Sequence, residues 1–181
     1  MRIFIGIPFS EENKRNLQRI QNKVVEKSEG GRFSNPKNFH MTLKFIGEID
    51  AEKLPEIKEA LEKIADKNPS FDLRLQGFDT FRKGKTCIPW MGIKEGQEYL
   101  AELQEQVETA FEKIGYKKES RPFLPHMTFG RKVQLSFSNE SFLRETLKHE
   151  SVRIKVASIA ILESTRISGE LVYPVIKRFF L

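Results

Sequence analysis

Residues 40–47 read HMTLKFIG and residues 126–131 read HMTFGR. The chain has only three histidines, and two of them open the same tripeptide 86 positions apart (126 − 40). Each tripeptide alternates polar and apolar residues, as a half-buried strand does. In the first, Met41, Leu43 and Phe45 fall on one face, and His40, Thr42, Lys44 and Ile46 on the other. The pair raises two questions. Is the chain built twice on one plan, and what does an imidazole do beside a hydroxyl on one strand face?

Upstream of the first motif, Ile3, Phe4, Ile5 and Ile7 form a buried strand that Pro8 ends. Ser10 caps a helix with Glu11 and Glu12 in its first turn, where the dipole favours acids. Leu17, Ile20 and Val24 keep helical spacing, and Gly30 and Gly31 stop the helix. Downstream, Asp50 caps a second helix striped by Leu54, Ile57, Leu61 and Ile64, with Pro55 tolerated in its first turn. The stretches FDLRL (71–75) and TCIPWMGI (86–93) read as strands, Pro89 marking an edge or a bulge. The order then recurs. Leu100, Leu103, Val107, Phe111 and Ile114 form a helix closed by Gly115, and a proline-flanked approach leads into His126. A short helix covers about 140–148, and two long strands finish the chain near 151–163 and 171–180.

A shift of 86 places Leu17 on Leu103, Thr42 on Thr128 and Leu61 on Leu147, with Ser10 falling on Gly96. Sequence identity between the halves is slight, but the order helix, His-strand, helix, strand, strand is shared. This pattern is an internal duplication, with halves near 1–93 and 94–181 packed as one bilobal domain.

Composition narrows the class. The 181 residues are 39% hydrophobic and 31% charged, as in a soluble globular chain with a sizeable core, and fifteen Phe make that core Phe-rich. A net charge of +6 permits an anionic partner such as RNA or a phosphorylated small molecule without demanding one. RKGK at 82–85 reads as a solvated turn. The single cysteine, Cys87, excludes an internal disulfide and reads as a buried strand residue. The apolar start is too short for a signal peptide, and no apolar run approaches membrane-spanning length. The expectation is a cytoplasmic protein with no membrane contact and no obligate protein partner.

Residues two apart on a strand share a face, so His40 presents an imidazole beside the hydroxyl of Thr42, and His126 does so beside Thr128. Two such strands facing each other make an acid–base pair that works near neutral pH, with two neutral donors for an anion held between them. That suits phosphoryl chemistry without a metal or other cofactor. One imidazole deprotonates the nucleophile and the other protonates the leaving oxygen. Chance is a poor explanation. With seven Thr in the chain, two of three His finding Thr two places on has a probability below about one per cent.

Other chemistries fit less well. Two His without a close Cys, Asp or third His are a poor zinc set, and no G-x-S-x-G accompanies them. His149 reads as a surface residue near a helix C-terminus. Arg131 follows the second motif on the wrong alternation; a bulge at Gly130 would re-aim it to the face of His126 and Thr128, and without one it is a plain surface charge. Lys44 reads as a surface charge. Phe9 and Trp90 are the candidates for stacking on a base.

These residues resemble the 2H phosphoesterase superfamily, and within it the RNA 2′,3′-cyclic phosphodiesterases, also called 2′-5′ RNA ligases of the LigT/ThpR type. The carrying stretches are MRIFIGIPF, NFHMTLKFIGEID and RPFLPHMTFGRK. The resemblance implies an α+β bilobal duplicated fold, two antiparallel sheets flanked by helices with a central cleft. It implies metal-independent hydrolysis of a terminal RNA 2′,3′-cyclic phosphate to a 2′-phosphate. His40 would be the general acid, His126 the general base, and Thr42, Thr128 and Arg131 would bind the phosphate. A small substrate such as ADP-ribose cyclic phosphate, or a non-catalytic RNA- or nucleotide-binding module, is the alternative.

Overall fold

The computed structural model describes residues 1–181. The strands are β1 (Arg2–Pro8), β2 (Gly30–Phe33), β3 (His40–Glu48), β4 (Phe71–Lys83), β5 (Thr86–Glu95), β6 (Met127–Thr128), β7 (Gly130–Gln134), β8 (Ser151–Val156), β9 (Ser158–Glu163), β10 (Thr165–Ile167), β11 (Glu170–Val172) and β12 (Val175–Phe180). The α-helices are α1 (Glu11–Lys27), α2 (Leu54–Ala65), α3 (Gln97–Lys113) and α4 (Phe137–Leu147). Single turns of 3-10 helix lie at Pro36–Asn38 and Ala51–Lys53.

Every strand pairing is antiparallel. One sheet runs β12-β9-β1-β3; a second runs β2-β7-β5-β4-β8 with β6 paired on β5; β10 and β11 form a separate hairpin. The architecture is α+β with two antiparallel sheets. Neither sheet is drawn from one half of the chain alone, since β9 and β12 join β1 and β3, while β4 and β5 join β6, β7 and β8.

The core explains why β1 reads as an unbroken apolar run. Ile3, Ile5 and Ile7 join the main cluster with Met41, Leu43, Ile159 and Ile161, together with the helix stripes of α1, α2 and α3. Phe4 points the other way and packs with Ala160, Leu162 and Tyr173. Both faces of the strand are thus covered. The face carrying Phe4 is the one on which the first histidine lies.

Several local expectations change. α1 ends at Lys27 on Ser28, earlier than the glycines. Gly30 and Gly31 open β2 instead; a Cβ on Gly31 would lie 2.6 Å from Val133 Cα, so the strand pair itself demands glycine. Asp50 caps the 3-10 turn before α2, without a side-chain bond. Pro89 sits inside the second sheet, not at an edge, opposite the gap between β6 and β7. Its missing donor forfeits little there, and its carbonyl accepts from the Phe129 N–H at 2.9 Å. Arg82 is not solvated. It pairs with Glu140 and donates to the Leu135 carbonyl, leaving Lys83–Lys85 as the exposed turn.

The two long closing strands are each divided. β8 pairs with β4 and β9 with β1, so the chain crosses from one sheet to the other at Ala157. Alternation alone cannot mark that crossing, because each side of it is a regular strand.

Candidate active site

Burial of Met41 and Leu43 turns His40 and Thr42 to the opposite face of β3, where both are half-buried. Their β1 partners are Pro8 and Gly6. The His40 ring packs 4.8 Å from Phe4 and 5.2 Å from Tyr173, the latter edge-on. The 3-10 turn, capped by Asn35, delivers the Asn38 carbonyl to within 2.6 Å of His40 Nδ1. A carbonyl only accepts, so Nδ1 carries the hydrogen. In the neutral ring Nε2 is then bare, and Thr42 Oγ1, 3.0 Å away, donates to it.

The second motif repeats this device. His126 Nδ1 donates to the carbonyl of Leu124, again two residues upstream, at 2.7 Å. Met127 is buried on Met91, and Thr128 pairs with Trp90. The imidazole is flanked by Phe81 at 5.1 Å and Trp90 at 5.9 Å, two rings that stack on each other at 4.9 Å. The His40 anchor is partly shielded from solvent, whereas the His126 anchor is open to it.

Two contacts bind the motifs together. Phe39, just before His40, packs edge-on against Phe129, just after Thr128, with centroids 6.3 Å apart and both rings buried. Gln21 of α1 donates to the carbonyls of Ser34 and Phe129, at 2.8 Å each. The approach to one motif and the exit of the other are therefore tied to one amide.

Burial and nearby charge both act on His40. Burial lowers the His40 pKa to about 4, with the charges of Arg131 and Lys14 pushing the same way and the Asn38 hydrogen bond opposing them. Arg131 is exposed and makes no ion pair, and its charge also bears on Tyr173. The second motif strand is interrupted at Phe129, one residue before the bulge expected at Gly130, and past that break Arg131 acts on the first histidine. Tyr173 is raised, first by its burial.

The alternation read for β3 fails after Thr42. Lys44 pairs with Ile5 and Thr42 with Gly6, so Leu43 is an extra residue, a β-bulge. Leu43 and Lys44 both turn inward, and Phe45 turns out to 70% exposure. Lys44 is therefore not a surface charge. It is buried against Glu108 of α3 and donates to the Lys117 carbonyl at 2.9 Å. Glu108 in turn accepts from Gln104 and from the Glu119 N–H, on the segment that leads into the second motif.

Phe9 is buried, and Trp90 is half-buried against Phe81 and His126. Cys87 is buried, its thiol pushed up by that burial, and His149 is exposed just after α4. A hollow of about 320 Å³ lies beside the second motif, lined by Trp90, Leu124 and Pro125, and includes neither imidazole. No group of three or more His, Cys, Asp or Glu is placed to hold a metal ion, and no helix is long and apolar enough to cross a membrane. The residues that sequence reasoning missed are Asn38, Gln21, Phe45 and Tyr173. The carbonyl two places before each histidine recurs in the structure alone, because it belongs to Asn38 in one motif and to Leu124 in the other.

Over residues 5–167 the chain matches the 2′-5′ RNA ligase superfamily. It is 35% identical to an RNA 2′,3′-cyclic phosphodiesterase of Thermotoga maritima, over 72% of this chain and 70% of that one. It is 31% identical to the protein of the same name from Aquifex aeolicus, over 100% and 97%. Among solved structures, a protein of Thermus thermophilus superposes with a TM-score of 0.80 at 24% identity, covering 100% of this chain and 98% of that one. E. coli LigT complexed with 3′-AMP superposes at 0.77 and 22%, covering 99% and 97%. At those identities the two structures speak for the fold.

Proposed function

The chain belongs to the 2′-5′ RNA ligase superfamily, the 2H phosphoesterases, and on that premise we propose that it is an RNA 2′,3′-cyclic phosphodiesterase, a hydrolase opening a terminal cyclic phosphate to a 2′-phosphate. One observation carries the reading: each imidazole is fixed through Nδ1 by the carbonyl two residues upstream, which leaves Nε2 as the proton-handling atom, in His40 beside the Thr42 hydroxyl.

The chemistry balances with two proton transfers. His126 Nε2 takes a proton from water as the water oxygen bonds to phosphorus. The P–O3′ bond breaks, and His40 Nε2 gives its proton to O3′. The product is a 2′-phosphate and a free 3′-hydroxyl, and solvent returns the proton between the histidines. Thr42, Thr128 and Arg131 stabilise charge on the non-bridging oxygens. On protonation of His40, Nε2 no longer accepts from Thr42, which frees the hydroxyl to donate to the phosphate while the Nε2 hydrogen is directed to O3′.

His40 must be cationic to act as the acid, yet it is neutral above about pH 4 without substrate. A phosphate anion held between His40 and Arg131 opposes both the burial and the Arg131 charge that lower it. Without that offset the low value favours the exchanged roles, with His40 as base and His126 as acid, and this is the second reading. The activity itself is tested by phosphorus NMR of an RNA ending in a 2′,3′-cyclic phosphate, incubated in EDTA. The expected product is a 2′-phosphate alone. A 3′-phosphate, or loss of turnover in EDTA, contradicts the proposal.

A further inference from the structure

Each motif histidine follows an approach with little regular structure. Residues 34–39 hold a single 3-10 turn, and residues 114–126, between α3 and β6, form neither helix nor strand. The anchoring carbonyls of Asn38 and Leu124 belong to these stretches. A helix fastens each one. Gln21 of α1 joins the first approach, at the Ser34 carbonyl, to the exit of the second motif, at the Phe129 carbonyl. Glu108 of α3 joins the second approach, at the Glu119 N–H, to the exit of the first motif, at Lys44, whose ammonium also donates to the Lys117 carbonyl at 2.9 Å.

The two fastenings correspond under the 86-residue shift. Glu108 falls on Asn22 (108 − 86), Glu119 on Phe33 (119 − 86) and Lys44 on Gly130 (44 + 86), each next in sequence to Gln21, Ser34 and Phe129 respectively. The helix of each half therefore clasps the approach to its own motif against the exit of the other. The chemistry differs where the backbone differs. At the first clasp Phe33 is paired with Gly130, and the Ser34 N–H donates to the Phe129 carbonyl at 2.9 Å, so a neutral amide completes a joint the chain has begun. At the second no backbone hydrogen bond joins the two stretches, because β3 pairs only with β1. There the clasp is a buried ion pair.

Building on the phosphodiesterase reading, we propose that Gln21, Lys44 and Glu108 are positioning residues: the paired clasps hold the two half-sites at one spacing, so that both imidazoles reach the same phosphorus. Proton transfer at both ends of one phosphorus tolerates little error in that spacing, since a misplacement of about 1 Å costs about 100-fold in rate.

Lys44→Met/Glu108→Leu cuts the charged clasp while keeping the interior filled. On adenosine 2′,3′-cyclic phosphate its kcat should fall about 10- to 100-fold, with KM changed less. An analogue with sulfur for the bridging 3′ oxygen departs without a proton and needs only the base, so most of that loss should disappear. Partial unfolding would lower both rates by one factor and leave their ratio alone. Gln21→Leu should show the same pattern more weakly, since the Ser34–Phe129 backbone bond remains. Gln18→Leu, a change at an exposed residue of α1, should alter neither rate. Without any substrate, backbone NMR relaxation should show the Leu124 and His126 amides losing order in the double variant while those of Asn38 and His40 keep it. Equal losses on the two substrates, unchanged kcat, or unaltered order at Leu124 and His126 overturn the proposal. If wild type turns over neither substrate, the phosphodiesterase reading fails, and the relaxation arm still decides the clasp.

Discussion

His40 and His126 are each held by a carbonyl two residues upstream, yet the rings meet different surroundings. His40 is enclosed by Phe4 and Tyr173, and its anchoring bond is shielded; His126 leans on the Phe81–Trp90 pair with its anchor open to water. Shared anchoring at Nδ1 leaves both rings the same free atom, Nε2, for the proton transfers proposed above. Burial lowers the His40 pKa to about 4, and tuning of this kind by the surroundings is how paired groups are set to acid and base tasks. On the proposed mechanism the duplicated motif supplies the parts, and the unlike neighbours supply the division of labour.

The largest effect expected from breaking the comparison is kinetic. His40→Ala and His126→Ala should each lower kcat about 10²- to 10⁴-fold on a cyclic phosphate. The double variant should be little worse than the poorer single one, because the pair acts as a unit. Additive losses in a turnover assay would show two independent sites.

The next effect is on stability. Lys44, on the first motif strand, is buried against Glu108. Lys44→Met leaves that carboxylate buried without its cation and should cost about 3–5 kcal/mol in urea unfolding. Adding Glu108→Leu should recover most of the loss. A single variant as stable as wild type would mean that the pair does not hold the first half-site to α3.

The smallest effect sharpens the contrast in burial. Native His40 titrates at about 4, and the unfolded ring at about 6.5. Between those values the unfolded chain binds more protons, so stability falls as pH drops from about 6.5 to 4, by up to about 3 kcal/mol, and this group adds no further loss below that. Tyr173→Ala admits water to the ring and should move the His40 pKa up from about 4, flattening the slope. An NMR titration of the histidine ring protons reads this directly. An unmoved His40 signal would show that Tyr173 does not supply the burial.

Much of the molecule was legible in the sequence because local rules governed it. The Ser10 cap, the stripes of α1, α2 and α3, the strand at His40 and the inward turn of Cys87 follow from short-range pattern and burial. What misled the reading was set by partners distant in sequence. The bulge that buries Lys44 and exposes Phe45 depends on register against β1. The change of sheet at Ala157 depends on which strands are free to pair, and Arg82 is drawn out of the solvated turn by Glu140, which lies across from it. In the site, the His–Thr pairs were visible as a repeat, but Tyr173 reaches His40 from 133 residues away (173 − 40) and leaves no local pattern.

The division of roles is tested most directly with a 2′,3′-cyclic phosphate whose bridging 3′ oxygen is replaced by sulfur, a leaving group that departs without a proton. Turnover of this substrate by His40→Ala should recover to near the wild-type rate, while His126→Ala should remain as impaired as on the oxygen substrate. Recovery in His126→Ala instead would reverse the roles, and equal impairment of both variants would contradict an acid–base pair divided between the two half-sites.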